Sequence, residues 1–363
     1  MSGWRRNGLM DRLGIDIPII QAPMAGSDSP TMTIAVSKVG ALGSLACATL
    51  SAEAINVAVG DILEATDKPF NLNFFCHKPP VDDPKRESRW RQALLPYFEE
   101  LGLDPEAHVP FVNRVPFDEA LCGVIEAIHP PVVSFHFGLP GADLLARVKA
   151  AGAIVLSSAT TVAEAIWLEQ NGCDAVIAQG FEAGGHRGLF LGEDVTTQIG
   201  TLALVPQIVD AINLPVIAAG GIGDSRGIAA ALMLGASAVQ MGSAYLFCPE
   251  ARVSQIYAGG LHNSQDRTAV TNLFTGRPAR GIINRLMSDL GPMSHLPPDF
   301  PLAGQALAAL RAHDQATGSA DFTNLWAGQA APLGRVLPAG ELTRSLSDDA
   351  LLRLKSAHND LAF

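Results

Sequence analysis

The sequence predicts an α/β fold, a (β/α)8 TIM barrel with an insertion after its third strand and a mainly helical C-terminal lid. Eight short apolar runs alternate with helix-like segments over the first two thirds of the chain. Polar or glycine clusters follow nearly every run at the same end, as in barrels whose active site is built from the loops after the strands. An open, doubly wound sheet is the alternative, and the count of eight strands favours a closed barrel.

The predicted strands are short and apolar, as buried parallel strands usually are. They span Ile17–Gln21, Ala41–Ala46, Phe70–Phe74, Val132–Phe135, Ile154–Ser157, Ala175–Ala178, Val216–Ala219 and Ala238–Met241. Predicted helices lie between them at Thr31–Val39, Ala52–Ala65, Phe117–Ile128, Leu144–Ala150, Val162–Asn171, Leu202–Ile212 and Ser225–Leu234. Three of these helices run into a glycine, at Gly152, Gly172 and Gly235, which is a common helix-ending signal.

Two stretches interrupt this alternation. Residues 76–116 hold many prolines and charges around a helical piece, Trp90–Leu101, and are predicted to be an insertion after the third strand. Beyond Pro249 the alternation stops. We therefore expect a barrel over residues 10–248, and a helical lid that also shapes the substrate pocket over residues 249–363.

The composition argues against several classes of protein. The 363 residues carry a formal net charge of −11, and the short basic clusters are mixed with acidic residues, which disfavours a nucleic-acid surface. Five cysteines without a Cys-x-x-Cys pair disfavour a disulfide framework or a zinc site. Neither a signal peptide nor a membrane-length apolar run is present, so we expect a cytoplasmic protein without a membrane partner. The oligomeric state stays open, a homodimer included.

The segment Gln179–Gly188, QGFEAGGHRG, holds the densest chemistry in the chain and follows the sixth predicted strand. Its glycines Gly184, Gly185 and Gly188 allow positive φ and a close approach of the backbone to a ligand. His186 lies in this turn and is a residue type that titrates near neutral pH. We therefore expect His186 to face a substrate.

A second histidine, His136, follows the fourth predicted strand. For His136 a hydrogen-bonded role in the core is as reasonable as a catalytic one. His136, His186 and Glu182 are residue types that bind metals, but their spacing follows no metal-site pattern. We predict no metal site. Glu182 and Arg187 are expected to hold the loop and not to react.

Glycine clusters after the last two predicted strands indicate a phosphate site. Gly220, Gly221 and Gly223 follow the seventh strand, and Gly242 and Ser243 follow the eighth. In barrels these two loops commonly bind phosphate through backbone N–H groups and a helix N-terminus. Two tight turns without a ligand are the alternative. Neither a P-loop nor the spaced glycines of a Rossmann site are present.

These clusters resemble the nitronate monooxygenase (2-nitropropane dioxygenase) family, most closely its class I members. The resemblance covers the chain from Leu13 to Gln329. The matching motifs are QAPMAG (Gln21–Gly26), SFHFGLP (Ser134–Pro140), QGFEAGGHRG (Gln179–Gly188), AAGGIGD (Ala218–Asp224), QMGSAYL (Gln240–Leu246), FTGRPARGIINR (Phe274–Arg285) and LWAGQ (Leu325–Gln329).

The resemblance implies that FMN binds non-covalently at the strand ends. The phosphate would rest on Gly221, Gly242 and Ser243, in agreement with the glycine clusters. The other implied cofactor contacts are Met24, Asn73, Gln179, Gly184, Gln240 and Met241. His186 matches the catalytic histidine of the family, and His136 matches a second histidine of the substrate pocket.

The implied reaction is the oxidation of alkyl nitronates, and of nitroalkanes, by O₂ to a carbonyl compound and nitrite. A protonated His186 or His136 would offset the charge of the nitronate, and His186 would act as general base toward a neutral nitroalkane. An NAD(P)H-dependent quinone or enoyl-thioester reductase on the same FMN barrel is the alternative. An FMN-binding protein without turnover is a third hypothesis, because the fold alone does not decide the activity.

The sequence departs from the family in one segment. Class I members usually carry tyrosines and a lysine in the lid after the GRPARG motif, and here the comparable stretch, Phe300–Leu310, has neither. We therefore expect a less polar pocket wall, which leaves the substrate preference open.

Overall fold

The computed structural model describes residues 3–107, 109 and 114–360. In chain order the strands are β1 Ile19–Gln21, β2 Gly43–Ala46, β3 Phe70–Phe75, β4 Val132–His136, β5 Ile154–Ala159, β6 Ala175–Gln179, β7 Gly185–His186, β8 Val216–Ala219, β9 Ala238–Met241, β10 Thr268–Thr271 and β11 Ala279–Ile282. The α-helices are α1 Gly8–Leu13, α2 Pro30–Lys38, α3 Ala52–Ala65, α4 Pro84–Leu101, α5 Glu119–Ile128, α6 Ala142–Ala150, α7 Val162–Gln170, α8 Thr201–Ala211, α9 Ser225–Met233, α10 Gln255–His262, α11 Arg285–Leu290, α12 Ala308–Thr317 and α13 Ala339–Asp360. All eight predicted strands and all seven predicted helices are present.

Eight parallel strands form the barrel. Their spatial order is β1-β9-β8-β6-β5-β4-β3-β2. Strands β1 and β2 close the ring, because the amide of Gln21 donates to the carbonyl of Leu42 at 2.9 Å and the amide of Leu42 donates to the carbonyl of Ile19 at 3.1 Å. The prediction of a (β/α)8 barrel is confirmed.

Helix α1 seals one end of the barrel interior. Leu9 and Leu13 of this helix pack against inward-facing strand residues such as Ile20, Leu156 and Ile217, all of them buried. Burial of this apolar layer fills the half of the interior at the amino ends of the strands. The ligand-sized space that remains therefore lies at the carboxyl ends.

The barrel interior becomes polar toward the carboxyl ends of the strands. The side-chain amide of Asn71 donates to Ser44 Oγ at 3.1 Å and to Ser134 Oγ at 2.9 Å. The amide of Asn73, two residues further along the same face of β3, donates to Ser134 Oγ at 2.9 Å. Successive residues of a strand face opposite sides, so Leu72 points outward, into the core beneath the outer helices.

Helix α13 completes the outer ring of eight helices, with α2, α3 and α5 to α9. Its buried residues Leu342 and Leu346 share one apolar cluster with Val36 of α2 and Ile228 of α9. The expectation that residues 249–363 form a single lid region is therefore wrong for this helix. The helix that follows β9 in the barrel comes only after the whole lid, so the strand–helix alternation is hidden in the sequence.

The insertion after β3 packs on the lid. Trp90 and Leu94 of α4 are fully buried in a cluster with Phe274 and Leu307 of the C-terminal region. The indole N–H of Trp90 donates to the carbonyl of Ala303 at 3.1 Å. Two segments that are distant in sequence thus form one cover over the carboxyl end of the barrel.

The lid also contains strands, which the sequence did not predict. Strands β10, β11 and β7 form an antiparallel sheet in that order. In its register Ala279 of β11 lies opposite His186, and Arg280 lies opposite Gly185. The lid therefore fixes the backbone of the histidine loop. Among the described residues, no helix has the length and hydropathy needed to cross a membrane.

Candidate active site

A cavity opens at the carboxyl ends of the barrel strands, under the lid. It holds about 1310 Å³ of atom-free space, its open mouth included. Ten of the eleven predicted site residues line it: Met24, Asn73, His136, Gln179, Gly184, His186, Gly221, Gln240, Gly242 and Ser243. The structure thus brings together residues from six different strand ends, as expected for a barrel active site.

Met241 is the predicted site residue that the cavity does not include. Its side chain is buried in the apolar cluster between the strands and the outer helices. Its carbonyl accepts a hydrogen bond from the amide of Ala22 at 2.8 Å. Because side chains alternate along a strand, Gln240 faces inward and Met241 faces outward. The prediction that Met241 contacts the cofactor is therefore wrong for its side chain.

His186 lies in an aromatic environment formed with the lid. Its Nε2 is 3.0 Å from the hydroxyl oxygen of Thr275. Its ring centroid is 5.2 Å from that of Phe300 and 5.6 Å from that of Trp326. The imidazole thus has one hydrogen-bond partner and aromatic neighbours, which together restrict its orientation.

The hydrogen bonds of His136 define its tautomer. Its Nε2 is 3.2 Å from the carbonyl oxygen of His186, and its Nδ1 is 2.6 Å from Ser158 Oγ. A carbonyl oxygen only accepts, so Nε2 carries the proton and the hydroxyl of Ser158 donates to Nδ1. The side-chain amide of Gln179 donates to the same carbonyl at 2.9 Å. The two histidines are therefore coupled through the backbone of His186.

Both histidines are neutral at neutral pH. Burial lowers the pKa of His136 to about 3, and the positive charge of Arg277 also lowers it. Burial lowers the pKa of His186 well below its ordinary value, with further lowering by Arg114, His136, Arg277 and His77. Desolvation opposes the imidazolium form, which disfavours the expectation that a protonated histidine offsets the charge of a nitronate.

The rest of the histidine loop is held by two charged side chains, a buried arginine and a half-buried glutamate. The guanidinium of Arg187, which is fully buried, donates to the carbonyls of Gly180 at 2.7 Å and Gln179 at 2.8 Å. The carboxylate of Glu182 accepts from the amide of Thr201 at 2.8 Å and from its hydroxyl at 2.9 Å. As the sequence predicted, Glu182 and Arg187 hold the loop in place.

The glycine loops after β8 and β9 offer backbone groups to the cavity. Gly221 has φ 70°, a conformation that L side chains rarely adopt. A 3-10 helix, Ser243–Phe247, begins at the edge of the cavity, and the first N–H groups of a helix have no partner within it. The hydroxyl of Ser243 accepts from the amide of Gly328 at 2.9 Å, which docks a lid segment onto this turn.

One buried polar atom at the cavity lacks a partner. Gln240 Oε1 is buried and has no hydrogen-bond partner, although the residue lines the cavity. Burial of an unpaired amide oxygen costs about 1–3 kcal/mol. A planar ligand with an N–H group would satisfy it, and a flavin ring has such a group. The residues present therefore fit a flavin.

The described residues 3–107, 109 and 114–360 contain no cluster of three or more His, Cys, Asp and Glu side chains that could hold a metal ion.

Several residues that line the cavity were not predicted as site residues from the sequence: Phe75, Arg114, Ser158, Trp326 and Gly328. Ser158 stands at the end of a predicted strand, which was a usable signal. Trp326 and Gly328 belong to the LWAGQ motif, whose position in the fold no local pattern reveals. Arg114 lies in the insertion, where the charge-rich composition resembles that of any surface loop.

Known proteins resemble this chain over nearly its whole length. The sequence model of the nitronate monooxygenase family matches residues 6–349. The nitronate monooxygenase of Pseudomonas aeruginosa is 46% identical over 344 residues, which are 93% of this chain and 97% of that protein. The nitronate monooxygenase of Paraburkholderia phytofirmans is 43% identical over 345 residues, 94% of each chain.

Solved structures show the same architecture. A nitroalkane oxidase from Streptomyces ansochromogenes superposes with a TM-score of 0.87 at 34% identity, covering 97% of this chain and 99% of that one. FabK from Thermotoga maritima superposes with a TM-score of 0.74 at 26% identity, covering 99% of this chain and 100% of that one.

Proposed function

The chain belongs to the flavin-dependent nitronate monooxygenase family and is an enzyme with that activity. From this premise we propose that its cavity binds FMN, that His186 acts on the substrate and that His136 positions His186. The enzyme oxidises alkyl nitronates with O₂ to a carbonyl compound and nitrite. The proposal concerns which flavin is bound, which residues contact it and how neutral nitroalkanes are handled.

The FMN assignment rests on two features that lie side by side in the cavity. These are the glycine loops after the adjacent strands β8 and β9, and the unpaired side-chain oxygen of Gln240. The loops after β8 and β9 supply backbone N–H groups for a phosphate, at Gly221 and at Gly242–Ser243. Gln240 Oε1 is the buried acceptor that a flavin N–H would satisfy. Backbone N–H groups at such turns are the kind of donors that the monophosphate of FMN would need.

FMN, when bound, accepts electrons from the nitronate, and the protein supplies position and electrostatics. Asn73 and Gln179 are held by hydrogen bonds to Ser134 and to the histidine loop, so their side chains form a fixed wall of the cavity. His136 directs its Nε2–H to a backbone carbonyl and stays neutral. Phe75 and Trp326 limit the access of water to the reacting atoms.

Toward a neutral nitroalkane, His186 would remove the α-proton. A general base must be unprotonated at the working pH, and burial keeps His186 in that form. The hydroxyl of Thr275 contacts Nε2 and orients the ring. A nitronate has already lost this proton and does not need the base.

The test is to purify the protein with its bound flavin and to assay it. We expect a yellow protein that releases FMN on denaturation and produces nitrite from ethyl nitronate in the presence of O₂. NADH should leave the flavin oxidised under anaerobic conditions. A different flavin in the extract would refute the FMN assignment. Rapid bleaching by NADH would support the reductase alternative.

A further inference from the structure

The cavity has one basic side chain that no step above uses. Among its described lining residues, Arg114 is the sole lysine or arginine and Glu182 the sole carboxylate. Glu182 is engaged by the amide and hydroxyl of Thr201. An arginine stays protonated in proteins, so Arg114 presents a positive charge to a ligand in this cavity.

A nitronate anion needs such a charge, because an unpaired anion in a partly buried site loses hydration without compensation. His136 and His186 are neutral and do not provide it. Arg277 also lies nearby, but its guanidinium donates to the carbonyl of Leu189 and stacks 4.0 Å above the Phe137 ring, and it does not line the cavity. Arg114 is therefore the cation that a bound anion can reach.

The position of Arg114 separates it from the expected phosphate site. It follows the insertion after β3, whereas the glycine loops follow β8 and β9, which lie across the barrel in the strand order. Its guanidinium carbon is 6.0 Å from the ring centroid of Phe300, the ring that packs 5.2 Å from His186. Arg114 thus belongs to the histidine side of the cavity.

We propose that Arg114 pairs with the negative charge of the nitronate and makes the enzyme prefer the anion to the neutral nitroalkane. The proposal rests on the function proposed above. The proposal also gives the insertion a role, because the lid segment Phe300–Leu310 contains no basic residue that could pair with the anion. Arg114 would act on binding and would leave the electron transfer to the flavin unchanged.

The experiment compares Arg114→Gln and Arg114→Lys with the wild type on ethyl nitronate and nitroethane, which differ by one proton. For Arg114→Gln we expect KM for ethyl nitronate to rise about tenfold to a hundredfold, as for loss of a charged hydrogen bond, with KM for nitroethane within about twofold. Arg114→Lys should recover most of the loss. Equal changes for both substrates, or none for either, would overturn the proposal.

The matched control is Arg89→Gln, which removes an exposed arginine from the same insertion. It should change neither KM. FMN affinity should be the same in all four proteins, because Arg114 lies away from the phosphate loops. A loss of FMN affinity in Arg114→Gln would assign Arg114 to the cofactor and refute the proposal.

A second measurement does not require turnover. Propionate has a planar anionic group like that of a nitronate, and its binding can be followed by the flavin absorbance. We expect Arg114→Gln to weaken it about tenfold or more, whereas Arg89→Gln does not. If the wild type makes no nitrite from nitronate, the proposed function fails, but propionate binding still decides the role of Arg114. Unchanged propionate binding would overturn that role.

The pH profile gives a third result. Arg114, His136, Arg277 and His77 all face His186, and Arg114 is the strongest of these in lowering its pKa. Removal of the Arg114 charge should raise the pKa of His186. In the pH–rate profile for nitroethane, the fall in turnover on the acidic side should then occur at higher pH in Arg114→Gln. In Arg114→Lys it should occur at the same pH as in the wild type. A fall that does not move in Arg114→Gln would contradict the placement of this charge beside His186.

Discussion

His186 shows how a single residue of this site depends on distant parts of the chain. Its backbone pairs with Ala279 of β11, and its ring contacts Thr275. Its carbonyl accepts from both His136 and Gln179. The sequence could identify a histidine in a glycine-rich turn after a strand. It could not reveal a two-residue strand, because β7 forms only when the lid pairs with it.

At the residue scale, we expect His186→Asn to reduce the turnover of nitroethane far more than the turnover of ethyl nitronate. Loss of a general base costs about 10²- to 10⁴-fold in turnover of nitroethane, which must be deprotonated. Turnover of ethyl nitronate should fall much less. Both rates are measured as nitrite release at saturating substrate.

The asparagine amide is shorter than imidazole and does not titrate, so bound FMN should stay at the wild-type level. The FMN content of His186→Asn is the control for an intact cavity. Nitroethane turnover equal to that of the wild type would remove His186 from the role of base.

At the scale of elements, the barrel could be predicted and the lid could not. Buried parallel strands are continuous apolar runs that local sequence reveals, and β1 to β6, β8 and β9 form within two residues of the predicted ends. The sheet of β7, β10 and β11 depends on pairing between segments far apart in sequence. Gln240 and Met241 show a further limit, since the facing of neighbouring residues follows from strand register and not from residue type.

A second prediction concerns Gly184, which lies in the loop from β6 to β7. A Cβ at this position would lie 2.5 Å from the amide nitrogen of Gly328 and 2.6 Å from the carbonyl carbon of Ala327. Gly184→Ala should therefore push out the lid segment that carries Trp326. We expect a loss of about 1–3 kcal/mol in the free energy of unfolding, as for overpacking, and FMN binding about tenfold weaker.

Gly185→Ala is the matched control for this variant. Gly185 has φ 73°, but a Cβ there would meet no atom within 4 Å. The left-handed conformation costs about 1–2 kcal/mol in stability and should leave FMN affinity unchanged. Urea unfolding and flavin titration measure the two effects. Equal FMN affinity in both variants would contradict the docking of residues 327–328 on Gly184.

At the scale of the whole molecule, each end of the barrel is closed by a different part of the chain. Helix α1 fills the amino end with apolar side chains, and the insertion and lid together cover the carboxyl end. Helix α13 returns from the lid to the outer ring, where Thr343 hydrogen-bonds the hydroxyl of Tyr245 at 2.7 Å. The polar cavity is thus enclosed by elements from both halves of the sequence, and titratable groups are buried around it.

These buried groups predict how the stability of the protein depends on pH. Burial lowers the pKa of His77 to about 4 and that of His136 to about 3, from 6.5 in the unfolded chain. Between these values and 6.5 the unfolded chain binds more protons, so stability falls as pH decreases from 6.5. Asp28 acts oppositely, because burial raises its pKa from 3.8 to about 7 and the folded state holds the extra proton. Each group contributes a slope of at most about 1.4 kcal/mol per pH unit.

Burial also lowers the pKa of His186, so three histidines reduce the stability as the pH falls and Asp28 alone increases it. We therefore expect the free energy of unfolding to decrease from pH 6.5 to pH 5. His77→Phe tests this interpretation, because His77 packs 4.8 Å from the Phe300 ring and a phenyl ring keeps the contact without titrating. Urea unfolding of this variant should show a slope shallower by up to about 1.4 kcal/mol per pH unit between pH 5 and 6. His295→Gln, at an exposed position, should keep the wild-type slope. A wild-type slope in His77→Phe would show that His77 does not stay neutral when the protein folds.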